Sequence, residues 1–227
     1  NKRIKMDYSL SFKVNEKIYI RDPESTELGK QIVKNAIDLI YKLGFEHFTF
    51  KKLALEMNTK EATIYRYFEN KHKLLTYLVN WYWSWLQNKI LFTTYTLNSA
   101  AEKLESTIDI LASPIEQDFN YTYIDEQKLY RIIIAEGAKV YLVKDVDMVN
   151  TGGAYLSYKT LCSLISDQIL ALNMNYQHSH TLASTIIETC HSQIFFSQHL
   201  PRLTDVLEDD HANLKKFIVH LTFSAIK

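Results

Sequence analysis

The sequence predicts an all-α protein from its scarce turn residues, its apolar spacing and its composition. Only 5 glycines and 3 prolines occur in 227 residues, too few for a β protein, which needs a turn about every 8–12 residues. Apolar residues recur three or four positions apart, the spacing of one helix face. Apolar residues make up 47% and charged residues 23% of the chain, as is typical of a globular protein with a buried core.

Three parts are predicted along the chain: an N-terminal arm at 1–24, a compact three-helix module at 25–80 and a larger helical domain at 81–227. In the arm, alternating apolar residues between Leu10 and Ile20 indicate a short extended segment or a small hairpin. The basic start, NKRIK, could contact a nucleic-acid backbone. A plain extension explains this start as well, and we favour the extension.

The module at 25–80 carries helix-capping signals in three places. Residues that can cap a helix precede each predicted helix, namely Ser25 or Thr26, Thr49 and Thr59. Gly44 is predicted to end the first helix as a left-handed cap. Asn58 lies in the tight turn before the third helix, which is predicted to run to about Phe68, and a long fourth helix begins near Lys71.

The domain at 81–227 keeps a helical spacing that is less regular than that of the module. Its helices are predicted at about 99–112, 126–145, 151–173, 179–199 and 208–225. The connection at 113–124 has no clear period.

The net charge of zero hides an asymmetry between the two ends of the chain. Residues 1–80 carry 15 Lys and Arg against 10 Asp and Glu, and the remaining residues carry the opposite imbalance. A basic front and an acidic back suit a protein that presents its N-terminal part to a polyanion.

Cysteine content and the absence of apolar runs predict a cytoplasmic protein. Cys162 and Cys190 are far apart and belong to no CxxC motif, which indicates buried thiols in a reducing compartment. The start has no signal-peptide pattern, and no stretch reaches the roughly 18 apolar residues of a membrane span.

Residues 61–68 place apolar and polar side chains on opposite sides of a short helix. Ile64 and Phe68 are predicted to face inward, and Thr63 and Arg66 to face outward. Arg66 can donate two hydrogen bonds to guanine, and Thr63 can contact a base edge or a thymine methyl group. The outward face therefore has the composition of a reader of the DNA major groove.

Neighbouring side chains are predicted to contact the sugar–phosphate backbone. Tyr65 and Tyr67 flank the outward face and can hydrogen-bond phosphates. Lys71 and His72 lie at the start of the next helix, where free backbone N–H groups favour a phosphate. Ala62 is small, so the helix N-terminus can approach the groove closely.

The most specific motif of the chain is Thr63-Ile64-Tyr65-Arg66-Tyr67-Phe68, followed by Asn70-Lys71 and Leu74-Leu75. With this motif, residues 29–79 resemble the DNA-binding domain of the TetR family of bacterial transcriptional regulators. One departure is Asn58, at a turn position where the family usually has glycine, although asparagine tolerates left-handed geometry. A second is Glu61, whose carboxylate repels phosphate but could accept a hydrogen bond from cytosine.

The resemblance implies an all-helical homodimer with an N-terminal helix-turn-helix DNA-binding domain and a C-terminal effector-binding and dimerisation domain. It makes repression, released by a small molecule, the default mode of action. The candidate DNA-binding residues are Lys60, Glu61, Ala62, Thr63, Tyr65, Arg66, Tyr67, Lys71 and His72.

The helices at 179–199 and 208–225 are the predicted dimer interface. Each has one apolar stripe for packing within the chain, and the stripe of the second includes Phe217. Three further apolar residues are not needed for packing within the chain: Ile194, Phe195 and Val219. They predict a four-helix interface between two subunits. Two-fold symmetry then makes the DNA half-sites inverted repeats.

The effector is predicted to be a small apolar or aromatic molecule of unknown identity, in an aromatic lining formed by Trp85, Phe119, Tyr130, Tyr155 and Tyr158. No cofactor is predicted. Metal binding was weighed for a group of candidate ligands: His178, His180, Cys190, His191 and His199. It is not expected, because no His–x₃–His pair occurs among them.

We therefore predict a regulator, and no enzyme, since no nucleophile–base arrangement or paired acids can be argued from the sequence. An alternative is a small-molecule-binding helical protein whose DNA-binding head no longer binds specifically, which the neutral net charge and Glu61 would favour. An enzyme built on the C-terminal helices has the least support.

Overall fold

The computed structural model describes residues 14–115, 123–144, 146–208 and 210–227. Over these residues the protein is helical and no strand occurs, which confirms the predicted class. The α-helices are α1 Glu27–Leu43, α2 Phe50–Glu56, α3 Glu61–Tyr65, α4 Lys71–Thr94, α5 Ala100–Ala112, α6 Glu126–Glu136, α7 Ala138–Tyr141, α8 Val146–Thr151, α9 Leu156–Leu172, α10 Ser179–His199 and α11 His211–Ile226. None of these helices combines the length and the apolarity that a membrane crossing requires.

The long helix α4 connects an N-terminal group of helices to a C-terminal bundle. Helix α2 packs against α1 and α3, and α9 packs against α4, α5 and α10. Helix α11 covers α5 and α10, while α6 contacts α1, α4 and α10. Helix α6 therefore touches both the N-terminal group and the bundle.

The arm differs from the extended segment that its alternating residues predict. Its first 13 residues lie outside the described ranges, and the rest forms two 3-10 turns, Glu16–Ile18 and Pro23–Ser25. A short polar side chain precedes each turn and accepts a hydrogen bond from the backbone N–H two residues later. Asn15 accepts from the Lys17 N–H, and Asp22 accepts from the Glu24 N–H. Such local hydrogen bonds compete with extended pairing.

Two of the three predicted helix caps are confirmed, and one is wrong. The hydroxyls of Thr26 and Thr49 accept backbone N–H groups of the first turns of α1 and α2. Helix α3 instead follows Lys60 with no side-chain cap. The Thr59 hydroxyl hydrogen-bonds the Thr63 hydroxyl at 3.3 Å. Gly44 ends α1 with the expected positive φ, at +75°.

Two predicted helices are shorter in the structure because glycines interrupt them. The helix predicted at 126–145 ends at Gly137 and continues only as α7, since glycine is a weak helix former. The helix predicted to begin at 151 begins at Leu156, after a turn in which Gly153 has φ +80°.

The buried residues of α10 and α11 differ from those that the sequence pattern predicts. Ile194, expected to be left over for a partner, is 4% exposed and belongs to the core. Phe217, expected in the core stripe, is 46% exposed. The buried stripe of α11 is Leu214, Ile218, Thr222 and Ile226, spaced four residues apart. Phe217 lies one position before that stripe and therefore points away from the core.

Gly29 allows the second turn of the arm to pack on α1, and a methyl group there should destabilise the fold. A Cβ atom at Gly29 would lie 2.2 Å from the carbonyl oxygen of Pro23. We expect Gly29→Ala to lower the free energy of unfolding by about 1–3 kcal/mol, the range for overpacking. The control is Gly152→Ala, whose Cβ would meet its first neighbour at 3.2 Å. Equal denaturation midpoints for both variants would contradict the role of Gly29.

Candidate nucleic-acid interface and buried cleft

Helices α2 and α3 are joined by a tight turn that exposes one face of α3. Asn58 adopts φ +49° in this turn, the left-handed geometry expected for it. Ile64 is fully buried and anchors α3 on the helices behind it. Six residues of this stretch were predicted to face outward. The side chains of Lys60, Ala62, Tyr65 and Arg66 are exposed, and those of Glu61 and Thr63 are half-buried.

Arg66 occupies the end of α3 with its side chain in solvent. It is the C-terminal capping residue of the helix and makes no ion pair with any residue that the structure describes. Tyr65 is 46% exposed, and its ring packs edge-on against Phe50 at 5.1 Å between centroids. The packing of the Tyr65 ring thus fixes the exposed face of α3, while the Tyr65 hydroxyl and the Arg66 guanidinium group remain accessible to a partner.

Tyr67 does not face outward as predicted. It is 1% exposed, and its hydroxyl shares a 2.7 Å hydrogen bond with the Thr26 hydroxyl. The cause is the end of α3 at Tyr65, because the Tyr67 N–H donates to Ile64 in a tighter turn. A helical spacing of 100° per residue therefore no longer applies at position 67.

The ammonium group of Lys71 also turns inward, against the prediction. It donates to three backbone carbonyls between α1 and α2, those of Phe45 at 3.0 Å, Glu46 at 3.2 Å and Phe48 at 3.3 Å. It thereby satisfies carbonyl oxygens of the loop that precedes α2. His72, the next residue, is exposed.

Removing the Lys71 ammonium should destabilise the protein. We expect Lys71→Met to lower the free energy of unfolding by about 1.5–3 kcal/mol, the range for hydrogen bonds to a charged group. Lys73→Met, two residues along the same helix, is the matched control and should stay within about 0.5 kcal/mol. Unchanged stability, with a weaker salt dependence of DNA binding, would show instead that Lys71 serves a phosphate.

Helix α6 is attached to the N-terminal helices by polar contacts at both its ends. Near its start, Lys128 pairs with Asp38 of α1. Near its end, Oε1 of Glu136 accepts the Phe45 N–H at 3.2 Å, and Lys139 of α7 pairs with both Glu136 and Glu46. The same loop, 45–48, is therefore held by Lys71 from one side and by α6 and α7 from the other.

A cleft runs between α6 and α10 and reaches the end of α1. It consists of a cavity of about 480 Å³ and a second of about 220 Å³, with Ile134, Ala135 and Phe195 in both walls. We call it the α6–α10 cleft. Further walls of the larger cavity come from α1, and those of the smaller from α4, α7 and α10.

Two buried hydrogen-bond donors in the walls of this cleft have no partner within the described ranges. They are the indole N–H of Trp83 in the smaller cavity and the hydroxyl of Tyr130 in the larger. An unmet buried donor costs free energy that a bound acceptor would recover. His191 stacks on Trp83 at 5.2 Å, and burial lowers the pKa of His191 to about 4.

The residues predicted for an aromatic lining are not gathered in one cavity. Tyr130 lines the α6–α10 cleft, but Trp85 is 2% exposed in the core. Tyr155 and Tyr158 line a separate cavity of about 30 Å³, and Phe119 lies outside the described residues. The sequence prediction missed a set of cleft residues: Trp83, Ile134, Ala135, His191 and Phe195. From the sequence, His191 and Phe195 are named only for other roles, as a candidate metal ligand and as an interface residue.

The buried His191 should make the fold sensitive to acid. The pKa of His191 falls from 6.5 to about 4 on burial, so between these values the unfolded chain binds a proton that the folded chain does not. Stability from this site is complete above pH 6.5 and is lost as the pH falls toward 4, by up to about 3 kcal/mol. We expect His191→Gln to flatten the stability profile in this window. The exposed His220 supplies the control variant His220→Gln, which should keep the wild-type profile.

Burial disfavours the thiolate form of both cysteines. Burial raises the pKa of Cys162 to about 11 and that of Cys190 to about 12. Neither thiol forms a disulfide in the described part of the chain.

Residues 32–78 match the model of the bacterial regulatory proteins of the tetR family. This segment is a tetR-family domain. It contains α2, the turn and α3, together with most of α1 and the first turns of α4. A comparison with curated protein sequences finds no significant match.

Solved structures of tetR-like regulators share the fold of the whole chain. A tetR-family regulatory protein from Rhodococcus RHA1 has a TM-score of 0.63 at 14% identity, over 88% of this chain and 97% of that one. AibR, in complex with isovaleryl coenzyme A and operator DNA, has a TM-score of 0.56 at 13% identity, over 84% and 95%. The fatty acid degradation regulator FadR from Bacillus halodurans has 0.56 at 16% identity, over 85% and 92%. The chain therefore has the fold of a tetR-family transcriptional regulator.

Proposed function

We propose that this protein is a DNA-binding transcriptional repressor that binds an inverted-repeat operator as a homodimer and is released by a small effector. The observation that carries the proposal is the exposed polar face of α3 within the tetR-family domain. Arg66 and Thr63 are the residues proposed to contact base edges. Tyr65, Lys60 and His72 lie around them and can bind phosphates. Glu61 and Ala62 complete the face.

The α6–α10 cleft is the proposed effector site. Its walls combine apolar side chains with polar ones such as Arg131 and Gln198, and the Trp83 and Tyr130 donors, unpaired among the described residues, call for a ligand with hydrogen-bond acceptors. A short acyl group with a carbonyl oxygen meets both conditions. AibR, which has the same fold, was crystallised with isovaleryl coenzyme A, and this supports an acyl ligand as the first class to test.

Helix α6 is the proposed link between the effector site and DNA. It forms one wall of the cleft, and its Glu136 holds the N–H of Phe45 in the loop before α2. A ligand that displaces α6 would therefore move the N-terminal helices relative to the bundle. A change in the separation of two recognition helices weakens an operator complex, because both half-sites must be contacted together.

The outer faces of α10 and α11 are the proposed dimer interface. Phe217 is 46% exposed on α11, and Val219 is only partly covered by its own chain. Phe195, also expected at the interface, instead lines the α6–α10 cleft. Partly exposed apolar side chains on α11, beside α10, suit a four-helix interface with a second copy.

Salt dependence of duplex binding separates this function from a protein whose head no longer binds DNA. For the purified chain and a random-sequence duplex, we expect the logarithm of the affinity to fall linearly with the logarithm of salt concentration. Each phosphate contact contributes a slope of about −0.9. Affinity that is absent at low salt, together with retained ligand binding in the cleft, would favour the alternative function.

A further inference from the structure

A second cavity, which shares no lining residue with the α6–α10 cleft, opens between the arm and the bundle. Its volume is about 670 Å³, and residues of the arm, of α4 and of α9 form its walls. The side chains that decide its chemistry are Glu16, Tyr19, Asp22, Glu24, Tyr77 and Asn80. We call it the arm cavity.

The walls of the arm cavity are fixed by hydrogen bonds. The side-chain amide of Asn15 donates to the Gly152 carbonyl at 2.8 Å, and that of Asn80 donates to the Ala154 carbonyl at 2.7 Å. Oε1 of Glu24 accepts from the indole of Trp81 at 3.0 Å. The arm also buries Val14 and Ile18 almost completely. The cavity is thus a built part of the fold.

The described lining residues of the arm cavity carry a net negative charge. Three carboxylates line it, and no lysine or arginine is among its described lining residues. Asp22 and Glu24 each use one oxygen for the contacts of the folded arm, Oδ1 and Oε1 respectively. Their second oxygens remain available, and burial raises the pKa of Glu24. A cation placed here would relieve the cost of keeping these carboxylates charged.

The Tyr77 hydroxyl supplies the independent sign of a ligand. Tyr77 is 1% exposed and lines the cavity, and its hydroxyl has no hydrogen-bond partner among the residues that the structure describes. Tyr77 lines the same cavity as the carboxylates of Asp22 and Glu24, and burial raises the pKa of its hydroxyl. Its ring meets that of Tyr19 edge-on at 6.2 Å. Two phenol rings and unpaired carboxylate oxygens together suit an organic cation.

We propose that the arm cavity binds an alkyl diamine or polyamine. The ammonium N–H groups would donate to the free oxygens of Glu24 and Asp22 and to the Tyr77 hydroxyl. The alkyl chain would lie against the rings of Tyr19 and Tyr77. The size of the cavity and its two aromatic walls favour this ligand over a bare metal ion.

The arm connects this cavity to the DNA-facing helix. The Ile20 N–H donates to the Tyr67 carbonyl at 2.8 Å, and Thr26 shares its hydroxyl hydrogen bond with Tyr67. Tyr67 follows directly on Arg66. A cation that stabilises the arm would therefore also stabilise the end of α3. This regulatory consequence rests on the proposed function, whereas the binding of the cation does not.

Calorimetric titration of the full chain with putrescine and spermidine tests the proposal. We expect saturable binding of one molecule per chain, and no binding of the neutral 1,4-butanediol. Tetramethylammonium, which carries charge without N–H groups, should bind at least about tenfold more weakly than putrescine. No saturable heat with either amine, or equal binding of tetramethylammonium, would overturn the proposal.

Two variants assign the site. Glu24→Gln keeps the Oε1 acceptor for Trp81 but removes the charge, and should weaken putrescine binding by about tenfold or more. Glu27→Gln, an exposed neighbour paired with Lys30, should leave it unchanged. Tyr77→Phe should weaken binding without lowering thermal stability, since the deleted hydroxyl has no partner. Wild-type binding by both Glu24→Gln and Tyr77→Phe would contradict the site. Amine binding by a chain that fails to bind DNA would refute the proposed function alone.

Discussion

Arg66→Ala should weaken operator binding by about 1–3 kcal/mol, or about five- to 150-fold, and relax the preference for guanine at one position of each half-site. Arg66 is exposed at the end of α3 and makes no ion pair among the described residues. Its removal should therefore leave the fold intact. Competition binding with operator variants mutated at single base pairs measures both effects.

Two further arginine variants separate charge from recognition at this position. Arg66→Lys keeps the charge but loses the planar pair of donors, so it should retain random-duplex binding while losing most of the guanine preference. Arg202→Ala removes an exposed arginine at the far end of α10 and should change neither property. Unchanged affinity and base preference in Arg66→Ala would show that α3 is not the reading helix.

Phe217→Asp should convert the proposed homodimer into monomers. A charge at this position would be buried unpaired in the interface, and two-fold symmetry places it there twice, at about 3–5 kcal/mol for each uncompensated charge. Sedimentation equilibrium should then show a dissociation constant raised by at least about a hundredfold. Affinity for the full operator should fall with it, because each monomer contacts a single half-site.

Phe92→Asp is the matched control for the interface. Phe92 is 81% exposed near the end of α4, so it offers an apolar side chain at least as accessible as Phe217 on a different surface. We expect Phe92→Asp to remain dimeric. Dissociation by Phe92→Asp with an intact Phe217→Asp dimer would place the interface at the end of α4 instead.

Local signals in the sequence predicted the N-terminal helices well. Thr26, Thr49 and Gly44 act through hydrogen bonds and φ angles within a few residues, so their roles can be derived from short stretches. The inward position of Ile64 follows from helical spacing for the same reason. Tyr67 could not be placed in this way, because α3 ends two residues before it.

Contacts between distant parts of the chain were beyond the sequence pattern. The ammonium of Lys71 reaches carbonyls more than twenty residues earlier in the chain, and nothing local indicates this. The α6–α10 cleft joins Trp83 and His191 through the packing of separate helices. The hydrogen bond between Glu24 and Trp81 likewise depends on the packing of the arm against α4.

Selection of bound duplexes from a randomised library tests the central claim most directly. Two-fold symmetry of a homodimer with an exposed α3 predicts enrichment of an inverted repeat, with half-site centres one helical turn or a multiple of it apart. Guanine should be enriched at the position that loses its preference in Arg66→Ala. Failure to enrich any sequence, or enrichment of a single unrepeated site, would contradict the account.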